Sequence, residues 1–169
     1  MNTARRISAV AAVALAFSLA NTGAAQAVSG TQELIAYGST PKCATPQGNG
    51  TANGTPLTVW DCTGSDVQRF QFFSSGEVKH VQSGRCVTPR GNSYSNGTVL
   101  TLWDCTGSSV QKWNVGSHYD AGNNRTTPLF NSGQCITNEG NSWANGTWLT
   151  LWTCNSSWPA VQDWAVWLR

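Results

Sequence analysis

The stretch CVTPRGNSYSNGTVLTLWDC, residues 86–105, is one of three copies of the same unit in a chain of 169 residues. The others read CATPQGNGTANGTPLTVWDC at 43–62 and CITNEGNSWANGTWLTLWTC at 135–154. Each copy opens and closes on a cysteine, 19 positions apart. Each is followed by Val-Gln-x-aromatic: Val67-Gln68 with Phe70, Val110-Gln111 with Trp113, Val161-Gln162 with Trp164. Units this short do not bury an apolar face alone, so three of them are expected to share one core.

Within a copy the residues read as strands. Asn-Gly at 53–54, 96–97 and 145–146 predicts a hairpin turn, because both residues tolerate positive φ. Strict alternation follows. Leu57 and Val59, Leu100 and Leu102, Leu149 and Leu151 point one way. Thr58 and Trp60, Thr101 and Trp103, Thr150 and Trp152 point the other. A further strand is expected after each Gln, and no mature segment holds a sustained 3.6-residue apolar period. The class is all-β.

Residues 1–27 read as a secretory signal peptide. Arg5-Arg6 precede an apolar run from Ile7 to Ala20, and Ala25-Gln26-Ala27 supplies a small-x-small cleavage site. The run is too short for a stable membrane span, and no second one follows. Residues 28–33 form a lead-in, and 34–169 fit one domain with lobes at about 34–77, 78–127 and 128–169. Export places six cysteines in an oxidising compartment, where disulfides are expected. Pairing within each copy, Cys43–Cys62, Cys86–Cys105 and Cys135–Cys154, treats the copies alike. Pairing between neighbouring copies would also be symmetric. Metal-ligand spacing is absent, and His80 and His118 sit in no ligand pattern. The formal charge of +2 falls to about zero once Arg5 and Arg6 leave, so nothing points to nucleic acid.

Three phased Gln-x-(Trp/Phe) motifs, each after a Trp-x-Cys strand and an Asn-Gly-Thr turn, resemble the ricin-B-type β-trefoil lectins over about residues 34–169. The resemblance implies three four-stranded lobes, a six-stranded barrel capped by hairpins, and disulfides inside lobes. It implies a scaffold role for Gln68, Phe70, Gln111, Trp113, Gln162 and Trp164. It also implies carbohydrate binding in one shallow pocket per lobe, with no cofactor. The platform residues carried over are Trp60, Trp103 and Trp152, with Thr58, Thr101 and Thr150 two positions earlier. The family's sugar-clasping Asp, two residues after the first Cys, is Thr45, Thr88 and Thr137 here. The Asn before each Gln is Val67, Val110 and Val161.

The third copy stands apart, with Trp143, Trp148, Trp152, Trp158, Trp164 and Trp167 among the chain's nine tryptophans. Trp148 and Trp152 share strand parity with Thr150, each about 7 Å from it, which predicts an outward stacking row. Between Gln111 and Cys135 the chain carries six more residues than between Gln68 and Cys86, an insert within Gly116–Asn124 read as a solvated connector. The eight acids, Glu139 among them, lie mostly scattered in turns, with Asp61 and Asp104 recurring before a Cys. No Gly-x-Ser-x-Gly elbow or Cys/His nucleophile arrangement accompanies them, so an enzyme is not expected. The reading is a secreted carbohydrate-binding module; the alternative is a trefoil that has lost sugar binding and holds a protein partner.

Overall fold

The computed structural model describes residues 32–36, 40–117, 127–128, 133–155, 157 and 160–168. The leader and lead-in up to 31, Trp158 and the insert from His118 to Asn124 lie outside the described residues, and nothing is said of the Trp167 side chain. The strands are β1 (Gln32–Ala36), β2 (Lys42–Pro46), β3 (Leu57–Asp61), β4 (Phe70–Phe72), β5 (Val78–His80), β6 (Cys86–Pro89) and β7 (Leu100–Trp103). They continue as β8 (Trp113–Asn114), β9 (Gly116–Ser117), β10 (Thr127–Pro128), β11 (Gln134–Asn138), β12 (Leu149–Thr153) and β13 (Trp164–Leu168). Short 3-10 turns are the only helical elements among the described residues.

Each copy of the unit is a hairpin: β2 with β3, β6 with β7, β11 with β12, all antiparallel. Register sets each first Cys opposite the tryptophan, Cys43 against Trp60, Cys86 against Trp103 and Cys135 against Trp152. The threonines face each other likewise, Thr45 with Thr58, Thr88 with Thr101 and Thr137 with Thr150. The opposite parity is the core face. Leu57, Val59, Leu100, Leu102, Leu149 and Leu151 are fully buried there, with Phe70, Trp113 and Trp164 joining them. One core thus draws on all three copies, and β1 paired along β13 brings the two ends of the described chain together. This is the three-lobed β-trefoil that the resemblance implies.

The Asn-Gly segments do form turns in the hairpin connections, with Thr55 N closing on Ala52 O (3.2 Å), Thr98 N on Ser95 O and Thr147 N on Ala144 O (both 3.1 Å), but not with both residues left-handed. Two consecutive left-handed residues do occur in each hairpin connection, but they are Gly48–Asn49, Gly91–Asn92 and Gly140–Asn141, in type I′ geometry. Gly50 N closes the first of these turns on Gln47 O at 3.1 Å. At 53–54 only Gly54 takes positive φ (84°), because Asn53 has work in another lobe. The backbone of each Asn-Gly-Thr segment pairs with the third-position strand residue of the next lobe. Gly54 N donates to Leu102 O and Leu102 N to Thr55 O, at 2.8 and 2.9 Å. Gly97 and Thr98 pair in the same way with Leu151, and Gly146 and Thr147 with Val59, so the ring of lobes closes.

Side chains repeat that closure. Asn53 Nδ2 donates to Asp104 Oδ2 (2.7 Å), and Asn145 Nδ2 donates to Asp61 Oδ2 (2.8 Å). Asn96 Oδ1 accepts from the N–H and hydroxyl of Thr153. Asp61 and Asp104, read from sequence as turn residues, are therefore seam residues. Lys42 bonds both Asp61 and Asn145, and Arg85 bonds Asn53 and approaches Asp104, which makes two seams ionic and the third neutral. The Lys42 hydrogen bond, then that from Asn145, holds the Asp61 carboxyl below its usual value.

The three disulfides lie within lobes: Cys43–Cys62, Cys86–Cys105 and Cys135–Cys154. His80, fully buried at the end of β5, packs 5.3 Å from the Phe70 ring. A carbonyl only accepts, so Nε2–H donates to Val67 O (3.0 Å) and Nδ1 faces the Ser83 hydroxyl at 2.9 Å. Burial pushes His80 below its ordinary 6.5, against a smaller opposing pull from Val67 O. A folded pKa below the unfolded one means stability is full above about 6.5 and drains as pH falls through it. Thermal midpoints should drop from pH 7.5 to 5, with His80→Gln flattening that fall. Site-resolved NMR showing His80 titrating at or above 6.5 would overturn the assignment.

Candidate functional site

The outward face of each hairpin begins with the threonine pair. Thr58, 1% exposed, donates its hydroxyl to Thr45 O at 2.9 Å. Thr45 in turn donates to Cys43 O and accepts from Gln68 Nε2 at 2.9 Å. Thr101 with Thr88 and Thr150 with Thr137 repeat both bonds. All six hydroxyl protons are therefore spent on backbone carbonyls. Where the family pattern has a carboxylate, this chain presents a hydroxyl whose proton is given away and which already accepts from a glutamine amide.

Above that floor stand the three tryptophans. Trp60, Trp103 and Trp152 are 43, 46 and 49% exposed, on strands whose alternate residues are fully buried. None stands on its own lobe alone. The edge of Trp60 lies against Gly146, that of Trp103 against Gly54 and that of Trp152 against Gly97. A Cβ added at those glycines would come 3.7–3.8 Å from the ring, and their φ of 82–90° strains any other residue. Each platform is thus a two-lobe construction, set by the seam that binds the residue after the tryptophan.

Clefts open beside two of these platforms. The first-lobe cleft has a volume of 380 Å³, with Thr45, Gln47, Asn49, Trp60 and Gln68 in its walls. The third-lobe cleft measures 830 Å³, with Thr137, Glu139, Asn141, Trp152 and Gln162 at the matching places. The type I′ turn supplies one wall in each. Sequence reading gave that turn no role, although Gly-Asn belongs to the dipeptides that favour it. The third wall also holds Asn138, fully buried, whose amide nitrogen and oxygen have no partner among the described residues; Pro46 and Pro89 stand at that place in the other lobes.

Trp148 departs from the expected row. It is half-buried, its ring lies under the Arg90 guanidinium at 5.7 Å, and its backbone bridges to Thr58 of the first lobe. It is not in the lining of the third cleft. Shared parity failed as a guide because Thr150 between the two rings is buried and Trp148 sits at the lobe junction, as do Pro56 and Val99. Trp143 packs on the core instead. Glu33, Cys43 and Cys62 place ligand-type atoms within 4.8 Å of one another, yet the two sulfurs are bonded together and offer no thiolate. No described helix is long and apolar enough to cross a membrane.

Comparison with solved structures gives the same architecture. A designed threefold-symmetric protein, ThreeFoil, superposes with a TM-score of 0.70 at 17% identity, covering 82% of this chain and 98% of that one. An exo-β-1,3-galactanase from Clostridium thermocellum superposes at 0.71 with 18% identity, over 84% of this chain but 31% of the enzyme. The C-terminal half of an earthworm R-type lectin, in complex with GalNAc, superposes at 0.63 with 14% identity, covering 81% and 98%. At such identities the likeness speaks to fold alone. No curated protein sequence matches the chain. The family model of the ricin-type beta-trefoil lectin domain, however, matches residues 31–164. Repeat, seams, platforms and that match together make the chain a member of the ricin-type β-trefoil lectin domain family.

Proposed function

We propose that the chain is a secreted, non-enzymatic carbohydrate-binding module that holds neutral glycans weakly at each site and gains avidity from several lobes. The observation that carries this is that Trp60, Trp103 and Trp152 are the exposed large apolar side chains among the described residues. A pyranose has one apolar C–H face and a rim of hydroxyls; an aromatic ring takes the face, and wall amides such as Asn49 and Asn141 meet the rim. Secretion rests on the Arg5-Arg6 leader pattern and the disulfides.

The closed threonines bear on strength. Losing a charge-assisted hydrogen bond costs about 1.5–3 kcal/mol, roughly ten- to a hundredfold in affinity. Free galactose should therefore bind poorly, and neutral oligosaccharides at millimolar to high-micromolar levels, insensitive to salt because the ligand has no charge. The same closure is the one observation that favours the alternative, a trefoil that holds a protein partner.

A glycan array followed by calorimetry tests the proposal. Truncating a stacking aromatic removes more than about 1 kcal/mol, so Trp152→Ala should weaken glycan binding at least about fivefold with circular dichroism unchanged. Trp60→Ala should cost less, since its cleft is less than half the volume. Wild-type affinity in folded Trp152→Ala would remove the platform, and no glycan binding by wild type would hand the case to the protein-partner reading.

A further inference from the structure

The three lobes are internal controls for one another, and they differ at the first residue of the type I′ turn. That residue is Gln47 in the first lobe, Arg90 in the second and Glu139 in the third, exposed in all three. Gln47 and Glu139 occupy the same wall of their clefts. The first cleft has no ionisable side chain in its lining, and Glu139 is the single one in the third. From this we infer that the third-lobe cleft, which holds neutral glycans weakly like the first, prefers a glycan bearing a free amino group, a protonated hexosamine. The inference rests on the carbohydrate reading above and names the ligand class of one of its sites.

Three features support it. The Glu139 carboxylate has no hydrogen bond or ion pair among the described residues, so its charge is available to a ligand. The cations that answer carboxylates elsewhere are engaged at other seams, Lys42 with Asp61 and Arg85 with Asp104, while Arg90 is held over Trp148. At the third seam the corresponding residues are the neutral Gln134 and Thr153, and Arg90, the cation beside Trp148, makes no ion pair with Glu139 among the described residues. Second, Glu139 shares its cleft with the exposed Trp152. A carboxylate beside an aromatic face suits an ammonium group twice, by charge-assisted hydrogen bonding and by attraction to the ring. A hexosamine carries that ammonium on the same rim where a neutral sugar carries a hydroxyl, so ring stacking and ion pairing are compatible. Third, Asn138 sets a covered amide with no partner among the described residues behind this cleft's wall, where the first cleft has Pro46.

The test uses the full chain and three probes: an oligomer of glucosamine with free amines, the same oligomer N-acetylated, and a neutral glucose oligomer. Wild type should bind the free-amine oligomer about fivefold more tightly than its acetylated form at low salt, as a partly shielded ion pair permits. That ratio should shrink toward one in about 0.5 M salt, where the screening length is a few ångströms. Glu139→Gln should bring the ratio to one, and Glu139→Asp should keep part of it. Gln47→Glu, placed in the Glu139→Gln background, should restore a free-amine preference from the first lobe. Thermal midpoints and circular dichroism confirm folding of each variant, and a turn at the surface tolerates these changes. Equal affinity of wild type for the free-amine and acetylated oligomers, with Trp152→Ala weakening both, defeats the amine selection and leaves carbohydrate binding standing. A preference that survives Glu139→Gln defeats it too. Binding of none of the three probes defeats the amine selection, and binding of no glycan on the array defeats the carbohydrate reading itself.

Discussion

Reduction and alkylation of the three disulfides should unfold the domain at room temperature. Each bridge joins cysteines 19 residues apart, and closing a loop of that size in the unfolded chain is worth about 3 kcal/mol on the chain-entropy model. The loops do not overlap, so in the unfolded chain their constraints add to roughly 9 kcal/mol, against a usual domain stability of about 5–15 kcal/mol. Each bridge ties the first strand of a hairpin to the end of its second, beside Cys residues that are fully buried. The platform tryptophan stands opposite the first Cys, so its environment should report the change. Near-UV circular dichroism should collapse on reduction, and the cooperative melting transition should vanish or move down by tens of degrees. Opening one lobe alone, with Cys135→Ala and Cys154→Ala together, should cost about a third of the total. A reduced, alkylated protein that keeps its near-UV spectrum and melts within about 5 °C of the native one would show the core to be sufficient by itself.

Much of this fold is legible in the residues because a repeat states its constraints three times. Alternation of Leu57, Val59 and their counterparts is a local signal, and those residues are the buried ones. Cysteine spacing identical in each copy pointed to pairing within lobes, which the structure has. What stayed hidden is what crosses lobes. Asn53 reaches Asp104, Asn96 reaches Thr153 and Asn145 reaches Asp61, across 51, 57 and 84 residues of chain. Each of these Asn residues sits in a local turn and also reaches across a seam, and a local pattern shows only the turn. The same limit misplaced Trp148, whose parity was right and whose neighbours came from two other lobes. The closed threonines were invisible for a third reason: a hydroxyl reads the same in sequence whether its proton is free or already given away.

Replacing Gln111 should be among the most damaging single changes in the second lobe. Four groups converge on its amide. Oε1 accepts from Thr106 N (2.7 Å) and the Thr106 hydroxyl (3.1 Å), and Nε2 donates to Thr88 Oγ1 (3.0 Å) and Asp104 O (2.9 Å). The first two partners are donors. The last two are acceptors, Thr88 having committed its own proton to Cys86 O. Only a side chain with a donor and an acceptor at one end serves both pairs, and the reach from the 3-10 turn at Ser109–Gln111 requires the length of Gln rather than Asn. Gln111 and Thr88 are buried, so the Thr88 hydroxyl left behind is not freely rehydrated, whereas Thr106 and Asp104 are exposed residues. Each stranded buried group costs about 1–3 kcal/mol, and Gln111→Met, which keeps the volume and loses every bond, should cost on the order of 3 kcal/mol. Gln111→Glu gives a sharper signature. An ionised carboxylate there would set oxygen against oxygen at Asp104 O and Thr88 Oγ1, whereas a protonated one can donate to one of them. Its folded pKa is therefore raised above the unfolded one, and the variant should be most stable at low pH and lose stability as pH rises through the folded value. Denaturant melts of both variants between pH 4 and 8 measure this. If Gln111→Met matches wild type within about 0.5 kcal/mol, the amide only fills space and the polar staple under the platform is not what holds the lobe.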